Sequence, residues 1–159
     1  MANHGFVTFK QNVDPAKISA LLERLNHEVF KDILKIKFSD NCGPECWGKQ
    51  VWEISAVYND QTYGERICWM ASPKKFEIRH GGGGDFIWWI DCKITNEIAL
   101  EFNGTITDEG VDHKIEAKKD WCPTWKDYVK KLYSKLPEKL LELMFDKDIV
   151  PEIFKDVVT

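Results

Sequence analysis

Apolar residues recur along the chain with two different spacings, and each spacing predicts one type of secondary structure. Residues 6–9 form a short apolar run ahead of polar residues, which predicts a first strand. Asp14 and Pro15 predict a helix start, because Asp can accept from the first free N–H groups and Pro needs no hydrogen bond there. Spacings of three and four then continue until about Leu34 and predict one apolar stripe, made by Ile18, Leu21, Leu22, Leu25 and Val29.

From Lys35 onward the apolar spacing changes to two, which is typical of strands. Turn residues between the runs separate seven predicted strands, at 35–38, 50–58, 65–71, 76–80, 85–94, 98–106 and 111–117. The strands at 50–58 and 65–71 are expected to form a hairpin, since the residues between them are polar and include Gly64. The strands at 76–80 and 85–94 are expected to form another hairpin, with four glycines at its tip. The run from Ile98 to Ile106 alternates most regularly and predicts a half-buried strand.

Helical spacing returns after Pro123, with apolar residues on one face and lysines on the other. Pro137 either kinks this helix or begins a second one at 138–145, because proline loses a helical hydrogen bond and clashes with the preceding turn. The sequence therefore predicts an α+β fold. A single antiparallel sheet of about six to eight strands packs against an N-terminal helix and one or two C-terminal helices, and residues 1–159 form one domain. The order of these elements is similar to that of helix-grip folds. In those folds a curved sheet wraps around a long final helix and leaves an apolar pocket between sheet and helix.

Composition and charge narrow the range of partners. Hydrophobic residues make up 43% of the chain and charged residues 30%, which favours a globular protein over a disordered one. The formal charge of -4 disfavours nucleic acid as a partner, because gripping phosphates needs a basic surface. No apolar stretch is long enough for a membrane span, and the first residues lack the layout of a signal peptide. Five cysteines cannot all pair internally, so we expect reduced thiols and a cytoplasmic protein.

The glycine run invites a ligand-binding interpretation, since backbone N–H groups on a glycine loop can hold an oxyanion. The run is His80, Gly81, Gly82, Gly83, Gly84 and Asp85. A phosphate loop leads into a helix and ends in Gly-Lys-Ser/Thr, whereas a strand is predicted here and that ending is absent. A plain hairpin tip and a loop that contacts a ligand or partner both remain open.

Metal and acid–base chemistry have weak support in the sequence. Cys42 and Cys46 could begin a metal site, but the other cysteines and the histidines are scattered, so no cofactor and no metal are expected. Whether these two thiols pair or bind a metal stays open. His80 and Asp85 would approach each other across the predicted hairpin, which permits general acid–base catalysis. A cross-strand charge pair gives the same proximity without any chemistry, so we assign no catalytic residue.

The tryptophans are the strongest functional signal in the sequence. In the predicted strand 85–94, Trp88 and Trp89 would point to opposite faces of the sheet, because side chains alternate. Either helices cover both faces, or one face is an exposed aromatic surface of the kind enriched in protein interfaces. Trp47 in the cysteine loop is also expected to be exposed. The lysines of the last predicted helix are balanced by acidic residues and favour a solvated face.

These patterns predict a non-enzymatic binding module that contacts another protein, or a second copy, in an inhibitor, immunity or assembly role. Its expected binding residues are Trp47, His80, Gly81, Gly82, Gly83, Gly84, Asp85 and Trp89. One alternative is a helix-grip-like pocket for a small apolar ligand, lined by Trp52, Trp69, Trp88 and Trp125. Another is a hydrolase-type enzyme that uses His80 and Asp85.

Overall fold

The computed structural model describes residues 3–40, 50–58, 60–80, 84–108, 116–132, 134–135 and 137, and the statements below concern that part of the chain. It contains six strands and three helices. In chain order they are β1 (Asn3–Thr8), α1 (Pro15–Glu28), β2 (Leu34–Ser39), β3 (Val51–Tyr58), β4 (Gln61–Ser72), β5 (Lys75–His80), α2 (Gly84–Glu101), β6 (Thr105–Asp108) and α3 (Trp125–Leu132). No helix among these is long and apolar enough to cross a membrane.

The strands form one antiparallel sheet in the order β2-β3-β4-β5-β1-β6. The predicted α+β class with a single antiparallel sheet is therefore confirmed. The first hairpin, β3 with β4, is also confirmed, although its turn is tighter than expected because β4 begins at Gln61. That residues 1–159 form one domain stays a prediction.

Local signals at the start of α1 act as the sequence predicts. The Asp14 carboxylate accepts from the N–H of Ala16 at 2.9 Å, and Pro15 occupies the first helical turn. The helix ends at Glu28, about six residues earlier than the stripe suggests. Lys31 and Asp32 have positive φ angles of 52° and 62°, which a helix cannot accommodate, and they turn the chain into β2.

The largest correction concerns residues 84–101, which form the helix α2 where strands at 85–94 and 98–106 were predicted. The predicted pairing of 76–80 with 85–94 is therefore wrong as well, and β5 pairs with β4 and β1 instead. Every α2 side chain from Phe86 to Ala99 is buried or half-buried, including the polar or charged Asp91, Lys93, Thr95 and Asn96. Because polar residues here do not mark an exposed side, the spacing of apolar residues cannot separate a buried helix from a strand. The strand after it is only the short β6.

Two glycines allow close packing around α2 and the end of the sheet. Gly64 has a φ of +67°, and a Cβ on it would lie 2.9 Å from Cγ1 of Ile87 in α2. A Cβ on Gly104, which follows the helix, would lie 2.5 Å from Cγ1 of Val7 in β1. Both positions therefore need glycine for the helix to approach the strands.

Both α1 and α2 pack on one face of the sheet, which we call the helix face and which carries Trp52, Ile54, Arg66, Cys68 and Ile78. Trp52 is fully buried, and its indole N–H donates to the Ser19 hydroxyl of α1 at 2.8 Å. Arg66 Nε donates to Asp91 of α2 at 2.6 Å, with both side chains buried. Removing one partner of such a buried pair costs about 3–5 kcal/mol, so this ion pair fixes α2 over β4.

The C-terminal predictions are tested only in part. α3 begins after Pro123, as predicted, and the Thr124 hydroxyl and the Asp127 carboxylate cap its first turn. Residues 111–115 lie outside the described residues, and 116–117 are not in a strand. The possible helix at 138–145 also lies outside the described residues.

Candidate functional site

Among the expected binding residues, Trp89 has a described side chain, and this side chain does not lie on a surface. Trp89 is fully buried between α2 and its neighbours, with 0% of its surface exposed. Its ring packs edge-on against Phe30 at 5.4 Å, and its indole N–H donates to the Cys122 carbonyl at 2.9 Å. Trp89 therefore anchors the segment before α3 to the core, and it contributes nothing to an outer surface. The sheet-face interpretation of this tryptophan is wrong, because its segment is a helix.

The glycine run joins the end of β5 to the start of α2. His80 is the last residue of β5 and lies opposite Asn3 of β1, and Gly84 and Asp85 begin α2. Residues 81–83, Trp47, Cys42 and Cys46 lie outside the described residues. Because α2 begins at Gly84, the prediction that a strand follows the glycines is wrong. The missing Gly-Lys-Ser/Thr ending still separates this run from a phosphate loop.

The tryptophans expected to line an apolar pocket do not all lie on one side of the sheet. Trp52 lies opposite Cys68 in the sheet, and Trp69 is the next residue along β4, so these two indoles point to opposite faces. Trp125 is buried against Phe86, with their ring centroids 5.6 Å apart. Trp52 and Trp125 belong to the hydrophobic core, and the half-buried Trp88 packs against it. Trp69 is buried on the other face of the sheet.

Two of the described cysteines, Cys68 and Cys122, are buried. Burial raises the pKa of the Cys68 thiol well above its usual range; the nearby Asp91 carboxylate raises it further and Arg66 lowers it. Burial also raises the pKa of the Cys122 thiol. Thiols held in the neutral form are poor nucleophiles and poor metal ligands. Within the described ranges, no three His, Cys, Asp or Glu side chains lie close enough together to hold a metal ion.

A different feature, the outer edge of β2, presents groups that can bind another molecule. β2 stands at the end of the sheet order, and among the described strands only β3 pairs with it. The N–H of Val57 donates to the Ile33 carbonyl at 2.9 Å, which places this pair in the hydrogen-bonded class. Because the classes alternate in an antiparallel pair, Leu34, Ile36 and Phe38 direct their N–H and C=O groups away from β3.

The first of these three outward positions is already occupied by a side chain. Asn26 of α1 donates through Nδ2 to the Leu34 carbonyl at 2.9 Å, and its Oδ1 accepts from the Leu34 N–H at 3.0 Å. The carboxamide thus forms both bonds that a neighbouring strand would form. Among the described residues, no strand or side chain pairs with the next two outward positions, at Ile36 and Phe38, and a further strand can use them.

Side chains on β2 differ sharply between its two faces. On the helix face, Ile36 is half-buried and Phe38 is 40% exposed, while the Phe38 ring lies 5.1 Å from the Trp52 ring. On the opposite face, Lys35 and Lys37 are exposed. We call this set, Lys35 to Phe38 with its outward backbone groups, the β2 edge. Sequence reasoning found the strand but missed the edge, although lysines that alternate with apolar residues are typical of edge strands.

Comparison of the chain with known proteins finds no matching family model, no similar curated sequence and no similar solved structure.

Proposed function

We propose that this protein is a non-enzymatic binding module that binds another protein by adding an extended segment of that protein to the β2 edge. Strand addition supplies affinity through main-chain hydrogen bonds and specificity through alternate side chains. The observation that carries the proposal is the Asn26 carboxamide on Leu34. It completes one outward position of β2 in the way a strand would, directly before the two positions at Ile36 and Phe38.

The exposed ring of Phe38 supports the same proposal. A strand paired with β2 would place its own side chains beside Ile36 and Phe38 on the helix face and extend the core beyond Trp52. Large exposed apolar side chains next to an open strand edge favour pairing with another chain. We also propose that the protein acts in the cytoplasm, where its five cysteines would remain reduced.

The test uses a photo-crosslinking amino acid, benzoylphenylalanine, placed at Phe38 or, as a control, at the exposed Lys17 of α1. Illumination in an extract of the source cells is expected to give an adduct from position 38 that position 17 does not give. Mass spectrometry should place the crosslink in an extended segment of the partner.

A second substitution, Ile36→Pro, separates strand addition from other contacts. Its missing N–H points outward, so the pairing with β3 keeps its hydrogen bonds, whereas an added strand loses one. We expect the adduct from position 38 to disappear in this variant while the melting temperature stays close to that of the parent. An adduct of unchanged yield in the Ile36→Pro background would contradict the proposal.

A further inference from the structure

The β2 edge also indicates the chemistry of the segment that it binds. We propose that its partner strand alternates apolar and acidic residues; this inference rests on the proposed function. An added strand continues the alternation of the sheet, so the side chains beside Ile36 and Phe38 lie on the helix face. Those beside Lys35 and Lys37 lie on the opposite face. The first set meets apolar surface and the second meets exposed ammonium groups.

Lys35 and Lys37 lie on the face of β2 opposite the helix face, and their charges favour acidic partner strands over neutral ones. The only carboxylate that forms an ion pair with either lysine among the described residues is that of Glu53, which lies 3.8 Å from the ammonium of Lys37. This pair is long and exposed, with 72% and 59% of the two side chains accessible, and such pairs contribute little to stability. Both ammonium groups can therefore donate hydrogen bonds to a carboxylate of an added strand. The same face also carries exposed carboxylates of Glu53 on β3 and Glu65 on β4, which lie inward of β2. An added strand would lie on the other side of β2, so the two lysines are the charged groups of this face nearest to it.

A second copy of this chain fits the β2 edge less well. Antiparallel pairing that used both outward positions would place Ile36 opposite Phe38 of the other copy, and it would place Lys37 opposite Lys37. Like charges directly opposite each other in a sheet are destabilising. The same lysines that limit self-pairing select a strand with carboxylates at those positions, which is why an acidic partner is favoured over a dimer.

The probe is the heptapeptide acetyl-Thr-Val-Glu-Val-Glu-Val-Thr-amide, titrated into the isotope-labelled full-length protein and followed by NMR. A matched peptide carries Lys in place of both Glu residues. The Glu peptide is expected to shift the Ile36 and Phe38 amide signals and slow their exchange with solvent, and to bind roughly tenfold more tightly than the Lys peptide. In the double variant Lys35→Glu and Lys37→Glu this preference should reverse.

Two further outcomes distinguish the inference from the proposed function. If both peptides bind equally and Ile36→Pro abolishes both interactions, strand addition stands and the acidic preference is overturned. If neither peptide perturbs the Ile36 and Phe38 amides at millimolar concentration, or if Ile36→Pro leaves binding unchanged, strand addition at the β2 edge is overturned together with the preference. Concentration-dependent broadening of these amides without peptide would show that a second copy is the occupant.

Discussion

The side-chain amide of Asn26 forms two hydrogen bonds with the backbone of Leu34, accepting from its N–H at 3.0 Å and donating to its carbonyl at 2.9 Å. Asn26 is 8% exposed, so water cannot easily replace these bonds. A helix side chain thus completes the first outward position of the edge strand β2. This links the packing of α1 to the position at which an added strand would begin.

Replacing Asn26 by Ala should lower the free energy of unfolding by about 2–3 kcal/mol, because it leaves the buried N–H and carbonyl of Leu34 without their partner. Guanidinium chloride unfolding followed by circular dichroism measures this change. Glu23→Ala, on the exposed side of the same helix, is the control and should change stability by less than about 0.5 kcal/mol. Equal effects of the two substitutions would contradict the role assigned to Asn26.

Replacing Trp89 by Ala should cost about 3–5 kcal/mol, since a fully buried indole and its bond to the Cys122 carbonyl are both lost. Leu100→Ala lies on the same helix, where Leu100 is 38% exposed, and should cost much less. Thermal unfolding of the two variants compares them directly. A near-native melting temperature for Trp89→Ala would show that this tryptophan lies on a surface. If Trp89→Ala is destabilised as expected, its loss of binding would reflect unfolding. The variant is therefore a poor probe of an interface.

Burial of Cys68 predicts a dependence of stability on alkaline pH. Because the pKa of its thiol is raised in the folded state, the unfolded chain releases this proton first as pH rises. The contribution of Cys68 is therefore complete below the ordinary thiol pKa of about 8.5 and is lost at higher pH, by up to about 1.4 kcal/mol per pH unit. Cys68→Ala should lose stability less steeply above that pH than the parent chain.

Denaturant unfolding of the two proteins across this pH range gives the difference in slope. The other titrating groups are common to both proteins, so their contributions cancel in the difference between the two slopes. Parallel stability curves above the thiol pKa would contradict the raised pKa of Cys68. In the same range, native Cys68 should also react with iodoacetamide far more slowly than an exposed thiol, because the thiolate is the reactive form.

Much of the fold follows from local signals. Asp14 and Pro15 marked the start of α1, and alternation marked β2, β3 and β5, because each of these elements has one side that is more buried than the other. Where one side is exposed, the period of the sequence records the geometry of the backbone. The end of α1 was placed too late, since Lys31 and Asp32 carry no glycine-like signal for their positive φ angles.

The candidate site was less accessible to sequence reasoning. Trp89 stood out because tryptophan is common in interfaces, yet its burial depends on Phe30 and Cys122, which are distant in the chain. Ile36 and Phe38 looked like ordinary strand residues. Their proposed role rests on the sheet order of the described strands, which leaves β2 at an end, and on Asn26, which lies eight residues before the strand that it completes.

The sequence by itself determined the α+β class, the cap of α1 and the strands whose two faces differ in polarity. Only the tertiary structure decided that residues 84–101 are helical, that β5 pairs with β4 and β1, and which described strand ends the sheet. The physical reason is the range of the interactions involved. Capping and alternation act over a few residues, whereas the burial of α2 on almost every side and the pairing of strands require segments that are far apart in the chain to meet.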